Sequence, residues 1–383
     1  MTTDLISSLS AVGPHDEQHQ VPLDYDPSTC DGVKHLMETF PDLQTIPPHY
    51  VLPEALLAKP VAEAQLPLID LSGLEDGSQC RAFTVQAISS ACSEWGVFRA
   101  VNHGIAEQLV ADMLEAAEGF FALPVEAKRA LSSGDVMNPV RCGTGLNAPA
   151  AAYAGHYWRD FLRHHGHPFH SHIHLWPSHP PTYREVTREY LVAVRRMVLR
   201  LARAISEGLA LQEDQLTRAL QEGCQIMAAN YYPRCPEPEK TMGMAGHSDH
   251  GGLTVLIDNG VGGLQVRHGG AWMAATPVHG SLIVNVGDYL EVFTNGRYKS
   301  VEHRAVVNKR RTRISVGVGH GPGLDTIIAP AAQLVGSDDD HGPRYGSVVY
   351  KDYVKSQQSS VARGKTALEA LSLDGPNEPS TGG

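Results

Sequence analysis

The sequence lacks the features that mark membrane, secreted and nucleic-acid-binding proteins. No apolar run reaches the roughly 18–20 residues that a membrane-spanning helix needs. The N-terminal stretch has neither the basic start nor the apolar segment of a secretory signal peptide. Basic residues are in deficit, with 31 Lys and Arg against 42 Asp and Glu. The resulting net charge of −11 argues against nucleic acid or anionic membrane as a partner, because both select cationic surfaces.

Disulfide and repeat patterns are also missing. The six cysteines show no CxxC pair and no spacing typical of a disulfide framework, which predicts reduced thiols in a cytoplasmic protein. No internal repeat or low-complexity array is present. We expect a monomer. What the chain does have is length, with 383 residues of which 42% are hydrophobic, enough to bury a large core.

The chain divides into five segments by composition and periodicity. Helical spacing of apolar residues is strongest over 181–222, and residues 131–180 are rich in loop-forming residues. The segments are a polar, partly Pro-rich extension at 1–66, a mixed helical region at 67–180, a long supporting helix at 181–222, a β-rich core at 223–325, and a C-terminal segment with a frayed tail at 326–383.

Short strands separated by turns dominate the back half of the chain. The predicted strands are 226–232, 252–258, 263–267, 271–275, 281–286 and 312–318. Asn-Gly, Gly-Gly and Gly-Asp dipeptides separate several of them. Many short strands at close spacing predict a sandwich or barrel, so we expect a mainly β fold with helical support.

One set of residues has the types and spacing of a metal site. His247 and Asp249 are two apart on a segment that we expect to be extended, so both side chains point to the same side. His303 follows the Asn295-Gly296 turn further on. Two histidines and one carboxylate on one face leave coordination positions open, as in non-haem Fe(II) oxygenases. In a chain with 20 histidines, an HxD pair by itself is equally explained by chance. We refer to His247, Asp249 and His303 as the triad.

A second group of polar residues accompanies the triad. Arg313 and Ser315 share one face of a predicted strand and offer a planar guanidinium and a hydroxyl to a carboxylate. Asn230 and Tyr232 share one face of another strand. For each residue taken alone, a surface ion pair or core packing is the better explanation, whereas the ordered set favours function. We refer to these four residues as the clamp.

Motifs along most of the chain resemble the plant-type 2-oxoglutarate/Fe(II)-dependent dioxygenase family. The resemblance runs from about residue 40 to 356 and is strongest to the branch of soluble flavone synthases and flavanone 3-hydroxylases. The matching motifs are PLIDL at 67–71, WGVF at 95–98, NHGI at 102–105, FFALP at 120–124, NYYPRCP at 230–236, HSDHGGLT at 247–254, GGLQV at 262–266, NVGD at 285–288, SVEHR at 300–304 and RIS at 313–315. The family's usual HTD is HSD here.

The resemblance implies a fold, cofactors and roles. The core would be a double-stranded β-helix, or jelly roll. The triad would bind Fe(II), Arg313 and Ser315 of the clamp would bind the distal carboxylate of 2-oxoglutarate, and Asn230 and Tyr232 would assist. The reaction would use O₂, with ascorbate as reductant, hydroxylate or desaturate a C–H bond of the substrate, and yield succinate and CO₂.

The substrate is predicted less sharply. Phe161 and Arg163 fall where relatives contact a flavonoid, and Arg163 replaces an expected aromatic residue, so it could meet an acidic or phenolic group. Packing or a surface charge explains both residues equally well. After the RIS motif the sequence GVGHGP replaces bulkier residues and predicts a small wall. We expect an aromatic substrate, a flavanone first. A small phenolic acid or other specialised metabolite is the alternative.

Other functions remain open from the sequence. A same-fold oxidase that uses no 2-oxoglutarate shares Arg313 and Ser315, and a binding protein on an inactive scaffold would share the fold. The histidine-rich run at 164–174 suggests a metal-storage role or a second metal site, although it contains no cysteine and the family carries scattered histidines here without metal.

Overall fold

The computed structural model describes residues 32–75, 77–144, 156–212, 214–335, 342–359 and 364–373. The strands in these ranges are β1 Ala62–Glu63, β2 Leu68–Asp70, β3 Val97–Val101, β4 Val140–Thr144, β5 Asp160–His167, β6 Cys224–Tyr232, β7 Met244–His247, β8 Leu253–Asp258, β9 Leu264–His268, β10 Ala271–Ala274, β11 Leu282–Val286, β12 His303–Ala305, β13 Arg313–Gly321, β14 Ile327–Ile328 and β15 Val348–Val349. The α-helices are α1 Gly32–Thr39, α2 Arg81–Glu94, α3 Glu107–Phe121, α4 Val125–Arg129, α5 Phe169–His172, α6 Tyr183–Gly208, α7 Asp214–Gln221, α8 Asp288–Phe293, α9 Tyr350–Ser359 and α10 Thr366–Glu369.

Two sheets organise the described strands. The larger sheet has the order β2-β3-β11-β8-β13-β6-β5-β4, and the smaller has the order β1-β10-β9-β12-β7. Strands β13, β6, β5 and β8 pair antiparallel, and neighbours in the sheet are distant in sequence. Such non-sequential antiparallel order is the pattern of a jelly roll.

The larger sheet carries a helical layer on one face. In β8, Leu253, Val255 and Ile257 belong to the core cluster that includes α3 and α6, whereas Thr254 and Leu256 point to the opposite side. The 26-residue helix α6 presents an apolar stripe at helical spacing to this core. The period-two alternation of each strand therefore separates a helix-facing row from a row that faces the smaller sheet.

The smaller sheet packs against the other face of the larger one. Leu264 and Val266 of β9 form one cluster with Val97 of β3 and Ile283 of β11. Farther along, the space between the two sheets is lined by polar residues of β6, β7, β12 and β13. The β-rich core predicted from the sequence therefore positions a polar cavity at one end of an apolar sandwich.

The region 131–180 contains more regular structure than predicted. In the described parts of 131–180, β4 and β5 add two strands to the larger sheet that were not predicted. β5 pairs with β6 over most of its length and includes part of the histidine-rich run. Both faces of β5 are buried: one packs against aromatic residues, and the other faces the cavity. Because Arg and His residues occupy these buried positions, the sequence of β5 does not alternate between apolar and polar residues.

The predicted long helix at 181–222 is two helices. α6 ends at Gly208, where a Cβ would lie 2.2 Å from the Ser89 Oγ atom, and Ala210 follows with a φ of +53°. A left-handed residue ends a helix. α7 then packs back against α6.

The terminal segments pack closely over the core where they are described. Within the predicted extension 1–66, α1 contributes Val33 and Leu36 to a cluster with Trp158 and Tyr232. Asp160 accepts hydrogen bonds from the first backbone amides of α1. Residues 1–31 of the predicted extension and residues 374–383 of the C-terminal segment, for which a frayed tail was predicted, lie outside the described residues.

Two further expectations concern the whole chain. Among the described residues, no helix is long and apolar enough to cross a membrane. The five cysteines within the described ranges are all free thiols, as predicted. Burial raises the pKa of the Cys92 thiol to about 12, which makes this cysteine a core residue rather than a nucleophile.

Candidate active site

The structure brings the three triad residues together. His247 ends β7 and is the cross-strand partner of His303, which begins β12. Asp249 follows two residues after His247, and its Oδ1 atom lies 3.8 Å from the Nε2 atom of His303. One donor atom from each residue lies within 4.8 Å of the others. These distances allow all three atoms to contact one cation.

Backbone carbonyls set the proton positions of both imidazoles. The Nδ1 atom of His247 lies 2.9 Å from the Ala245 carbonyl oxygen, and that of His303 lies 3.3 Å from the Val301 carbonyl oxygen. A carbonyl can only accept, so Nδ1 carries the proton and Nε2 keeps its lone pair for a metal. Burial and the neighbouring His303 lower the pKa of His247 to about 4, which keeps its ring neutral.

The carboxylate of the triad is held in its ionised form. Burial alone would raise the pKa of Asp249, but the two histidines beside it reverse this, and the net pKa is lowered. Asn285 donates to the Oδ2 atom of Asp249 at 3.4 Å. The site therefore offers two imidazole nitrogens and one anionic oxygen, a donor set that suits Fe(II).

A buried aspartate anchors the turn that carries the triad. Asp288 accepts hydrogen bonds from Ser248 (3.0 Å), from Ser300 (2.7 Å) and from Tyr353 of α9 (2.7 Å). Its backbone amide also donates to the Asp249 carbonyl at 2.7 Å. Asp288 belongs to the NVGD motif, but its role was not predicted, because its partners come from three distant segments.

The clamp residues lie on adjacent strands with one orientation. Arg313 of β13 is opposite Tyr232 of β6, and Ser315 is opposite Asn230. The Nη1 atom of Arg313 donates to the Ser315 Oγ atom at 3.0 Å, and the guanidinium lies 5.3 Å from the centre of the Tyr232 ring. Among the described residues, the buried Nε atom of Arg313 has no hydrogen-bond partner. The arrangement suits an incoming carboxylate.

Both groups of residues face one cavity of about 250 Å³. Its remaining wall combines three further arginines, a set of small or aliphatic residues, and six other polar residues. These are Arg159, Arg163, Arg304, Ile226, Ala228, Met244, Gly251, Leu256, Leu264, Ala305, Gly317, Gly319, Ser248, His250, Thr254, Asn285, Gln357 and Gln358. The glycines confirm the small wall that was predicted after the RIS motif.

The two predicted substrate residues are placed differently. Arg163 lines the cavity. Phe161 does not line it within the described residues; its ring lies under the Arg159 and Arg141 guanidiniums, at 5.0 and 6.0 Å. Phe161 packs against these two arginines, and its contact with a substrate stays a prediction.

Several cavity residues were missed by sequence reasoning. Arg159 donates to the Asn230 Oδ1 atom at 3.1 Å and so orients one clamp residue. Gln357 and Gln358 come from α9, more than a hundred residues after the triad turn. Strand alternation back from Arg163 gives a signal for Arg159, whereas no local signal marks the two glutamines.

The histidine-rich run does not form a second metal centre in the described part of the chain. There, the triad is the group of three His, Cys, Asp or Glu residues whose donor atoms lie within one ion's reach. His164 contacts the Tyr183 hydroxyl at 3.0 Å and stacks on Trp176. Burial lowers the pKa of His164 to about 3, so this residue is a neutral core histidine.

A facial set of two histidines and one carboxylate, beside an arginine clamp in the same cavity, defines a non-haem iron oxygenase with a keto-acid co-substrate. Comparison with known families agrees. Residues 223–322 match the model of the 2OG-Fe(II) oxygenase superfamily, and residues 66–181 match that of the non-haem dioxygenase in morphine synthesis N-terminal region. The chain belongs to this superfamily and is a plant-type 2-oxoglutarate/Fe(II)-dependent dioxygenase, an oxidoreductase.

Individual relatives cover most of the chain. Flavanone 3-dioxygenase 2 of Oryza sativa subsp. japonica is 41% identical over 81% of this chain and 90% of its own length. Protein DOWNY MILDEW RESISTANCE 6 of Arabidopsis thaliana is 38% identical over 81% of this chain and 91% of its own length. The solved structure of JOX2 in complex with 2OG, Fe and JA is 33% identical, with a TM-score of 0.78 over 89% of this chain and 97% of that one. The predicted jelly-roll core with helical support is thereby confirmed.

Proposed function

We propose that the triad holds Fe(II), that the clamp binds 2-oxoglutarate, and that the enzyme hydroxylates or desaturates an aromatic plant metabolite, with succinate and CO₂ as co-products. The observation that carries this proposal is that triad and clamp face the same cavity. The bound iron would activate O₂ for attack on a C–H bond. The protein would orient the co-substrate and the substrate and limit access of water.

The clamp would bind one end of the keto acid. Arg313 is 2% exposed, so its guanidinium acts at low dielectric, where a charge-assisted hydrogen bond is strong. Ser315 adds a hydroxyl at 3.0 Å from that guanidinium. Asn230 is held by Arg159, and the Tyr232 ring flanks Arg313. These contacts fix the orientation of the carboxylate before O₂ enters.

A flavanone is the substrate that the sequence favours. The rice relative whose name is flavanone 3-dioxygenase 2 supports this choice, as do the small residues Ala228 and Gly317 in the cavity wall. A small phenolic acid is the second candidate. It is favoured by the size of the cavity, about 250 Å³, because the co-substrate must share that space, and pockets for drug-sized ligands usually run from about 300 to 1,000 Å³.

An aerobic turnover screen tests the proposal. The protein would be incubated with Fe(II), 2-oxoglutarate, ascorbate and flavanones, dihydroflavonols or small phenolic acids, and products read by mass. A gain of one oxygen indicates hydroxylation, and a loss of two hydrogens indicates desaturation. Omitting 2-oxoglutarate must stop the reaction. Normal product formation without it would identify an oxidase of the same fold instead.

The working form of the enzyme is also part of the proposal. We propose a cytoplasmic monomer, since the described cysteines are free and the cavity is built from one chain. Size-exclusion chromatography with light scattering gives the mass in solution. A mass near the 41.4 kDa of one chain is expected, and twice that value would contradict it.

A further inference from the structure

Arg163 is a buried cation without a counter-ion. Its side chain lines the cavity, yet the residue is 8% exposed. The Nη1 atom donates to the Val136 carbonyl oxygen at 2.8 Å. Within the described residues, the buried Nη2 atom has no hydrogen-bond partner and no carboxylate forms an ion pair with this guanidinium. Such a group is costly, because a charge removed from water needs a partner.

A second arginine increases that cost. Arg141 of β4 is the direct cross-strand partner of Arg163. It too is buried, at 3% exposed, and its Nη2 atom also has no hydrogen-bond partner among the described residues. Like charges directly opposite on neighbouring strands destabilise a sheet. The fold therefore maintains a concentration of positive charge at this end of the cavity.

Arg163 is too far from the clamp to share its ligand. On the cavity face, Arg313 is opposite Tyr232, whereas Arg163 is opposite Ala228, which is opposite Gly317. Arg313 and Gly317 are four residues apart on β13, or about 13 Å along the strand. A five-carbon keto acid held by Arg313 and directed at the triad does not extend to Arg163. 2-Oxoglutarate at the clamp therefore cannot serve as the counter-ion of Arg163, and another anion is needed.

The space beside Arg163 suits a flat apolar ring. Ala228, Gly317 and Gly319 form its floor, with Ile226 and Leu256 beside them. A Cβ built on Gly317 would contact Leu256 and Thr254 at 3.6 and 3.8 Å, which are ordinary contact distances, so the glycine is not needed to avoid a clash.

We propose that Arg163 binds a carboxylate of the organic substrate and thereby selects aromatic acids over neutral aromatics. This inference rests on the proposed function, because it assigns the second ligand of the same cavity. The ring would lie over the small floor, with its carboxylate at Arg163 and its reacting carbon toward the triad. A guanidinium fork matches a carboxylate in geometry as well as charge.

Matched pairs of ligands test the carboxylate subsite. Hydroxylated benzoates and cinnamates would be compared with their methyl esters by calorimetry, on the protein loaded with Fe(II) and 2-oxoglutarate without O₂. We expect the acids to bind wild-type protein at least tenfold more tightly than the esters. Arg163→Met should remove this preference and weaken acid binding about 10- to 100-fold. Arg163→Lys should retain part of it, since the charge remains and the fork is lost.

Two measurements separate this proposal from its alternatives. The affinity for 2-oxoglutarate should be unchanged in Arg163→Met and reduced in Arg313→Met. If the wild-type protein does not bind 2-oxoglutarate, that result contradicts the proposed function and not the carboxylate subsite. Without ligand, Arg163→Met should unfold at a higher temperature by a few degrees, because an unpaired buried charge is removed. Equal binding of acids and esters, acid preference retained in Arg163→Met, or a lower unfolding temperature would each overturn the subsite.

Discussion

At the scale of single residues, the site is defined by which polar atoms already have a hydrogen-bond partner in the protein and which do not. The Nδ1 atoms of His247 and His303 are satisfied by backbone carbonyls, which leaves both Nε2 atoms for a cation. The Nε atom of Arg313 and the Nη2 atom of Arg163 are buried without partners among the described residues. Buried polar atoms normally find partners, so an unpartnered donor on a residue that lines the cavity is a candidate contact for a ligand.

Replacing His303 with Ala should abolish metal binding without unfolding the protein. The residue supplies one of three donor atoms and is not part of the large apolar clusters. We expect Fe(II) affinity to fall about 100-fold or more, measured by anaerobic titration.

His174→Ala is the matched control for this variant. His174 is exposed and lies in the histidine-rich run. Its replacement should leave Fe(II) affinity unchanged. Equal metal binding in wild-type protein and His303→Ala would reject the triad, and several tight ions per chain would favour a storage role for the run.

Residue types and spacing were sufficient to predict the triad and the clamp. The residue types in HSD, in RIS and at the distant His303 are themselves those that bind a metal or a carboxylate. Two residues that are two positions apart on an extended segment, such as Arg313 and Ser315, point to the same side. The isolation of Arg163 could not be predicted, because the absence of a counter-ion depends on every segment packed around it. The packing of Phe161 could not be predicted for the same reason, since the arginines that cover its ring come from β4 and from the residue just before β5.

At the scale of elements, strands of two kinds build the cavity. β6, β8 and β13 have apolar residues on the helix side and were predicted. β5 was not, because its helix side carries His164 and its cavity side carries Arg163, so no apolar alternation marks it. The short strands β7 and β12 are set by pairing with each other rather than by local propensity.

Filling the small wall of β13 should change substrate selection. Gly317→Val adds bulk where a Cβ meets its nearest neighbours at ordinary contact distance, so the sheet should tolerate it. We expect kcat/KM for a three-ring flavanone to fall at least tenfold more than kcat/KM for a single-ring acid. Steady-state kinetics with both ligand classes measures this ratio. An equal effect on both would show that the ring does not lie over Gly317.

The hydrogen bond between Tyr353 of α9 and Asp288 should stabilise the fold beside the site. Tyr353 donates to the fully buried Asp288 at 2.7 Å, and removing a donor from a buried carboxylate destabilises by about 1.5–3 kcal/mol. Tyr353→Phe should therefore lower the free energy of unfolding in urea by this amount.

Tyr190→Phe provides a matched comparison for the α9 variant. Tyr190 is equally buried, and its hydroxyl has no hydrogen-bond partner among the described residues. Its loss should be neutral or slightly stabilising. If both variants behave alike, the Tyr353–Asp288 contact does not anchor α9.

At the scale of the whole molecule, a helical layer and the smaller sheet enclose the larger sheet, and the cavity opens where the two sheets carry polar residues. Several histidines are buried in this assembly in neutral form. Burial lowers the pKa of His164 and of His320 to about 3, far below the ordinary 6.5. Both lie on the helix side of the larger sheet, away from the triad.

These histidines predict a loss of stability in acid. Between about pH 6.5 and about pH 3, these histidines are protonated in the unfolded chain and neutral in the folded chain. The free energy of unfolding therefore falls as the pH falls through this window. Each such histidine contributes a slope of about 1.4 kcal/mol per pH unit. Urea unfolding at pH 7 and pH 5 measures the slope. His320→Gln should reduce it and exposed His174→Gln should not; an unchanged slope in His320→Gln would contradict the assignment.

The central claim is that the triad and the clamp act together on 2-oxoglutarate. The most direct measurement is release of labelled CO₂ from 1-labelled 2-oxoglutarate, with and without an accepted substrate, in wild-type protein and Arg313→Met. The account predicts release that depends on Fe(II), rises with substrate in a one-to-one ratio with product, and is lost in Arg313→Met. Product formed at the normal rate without CO₂ release from 2-oxoglutarate would contradict it.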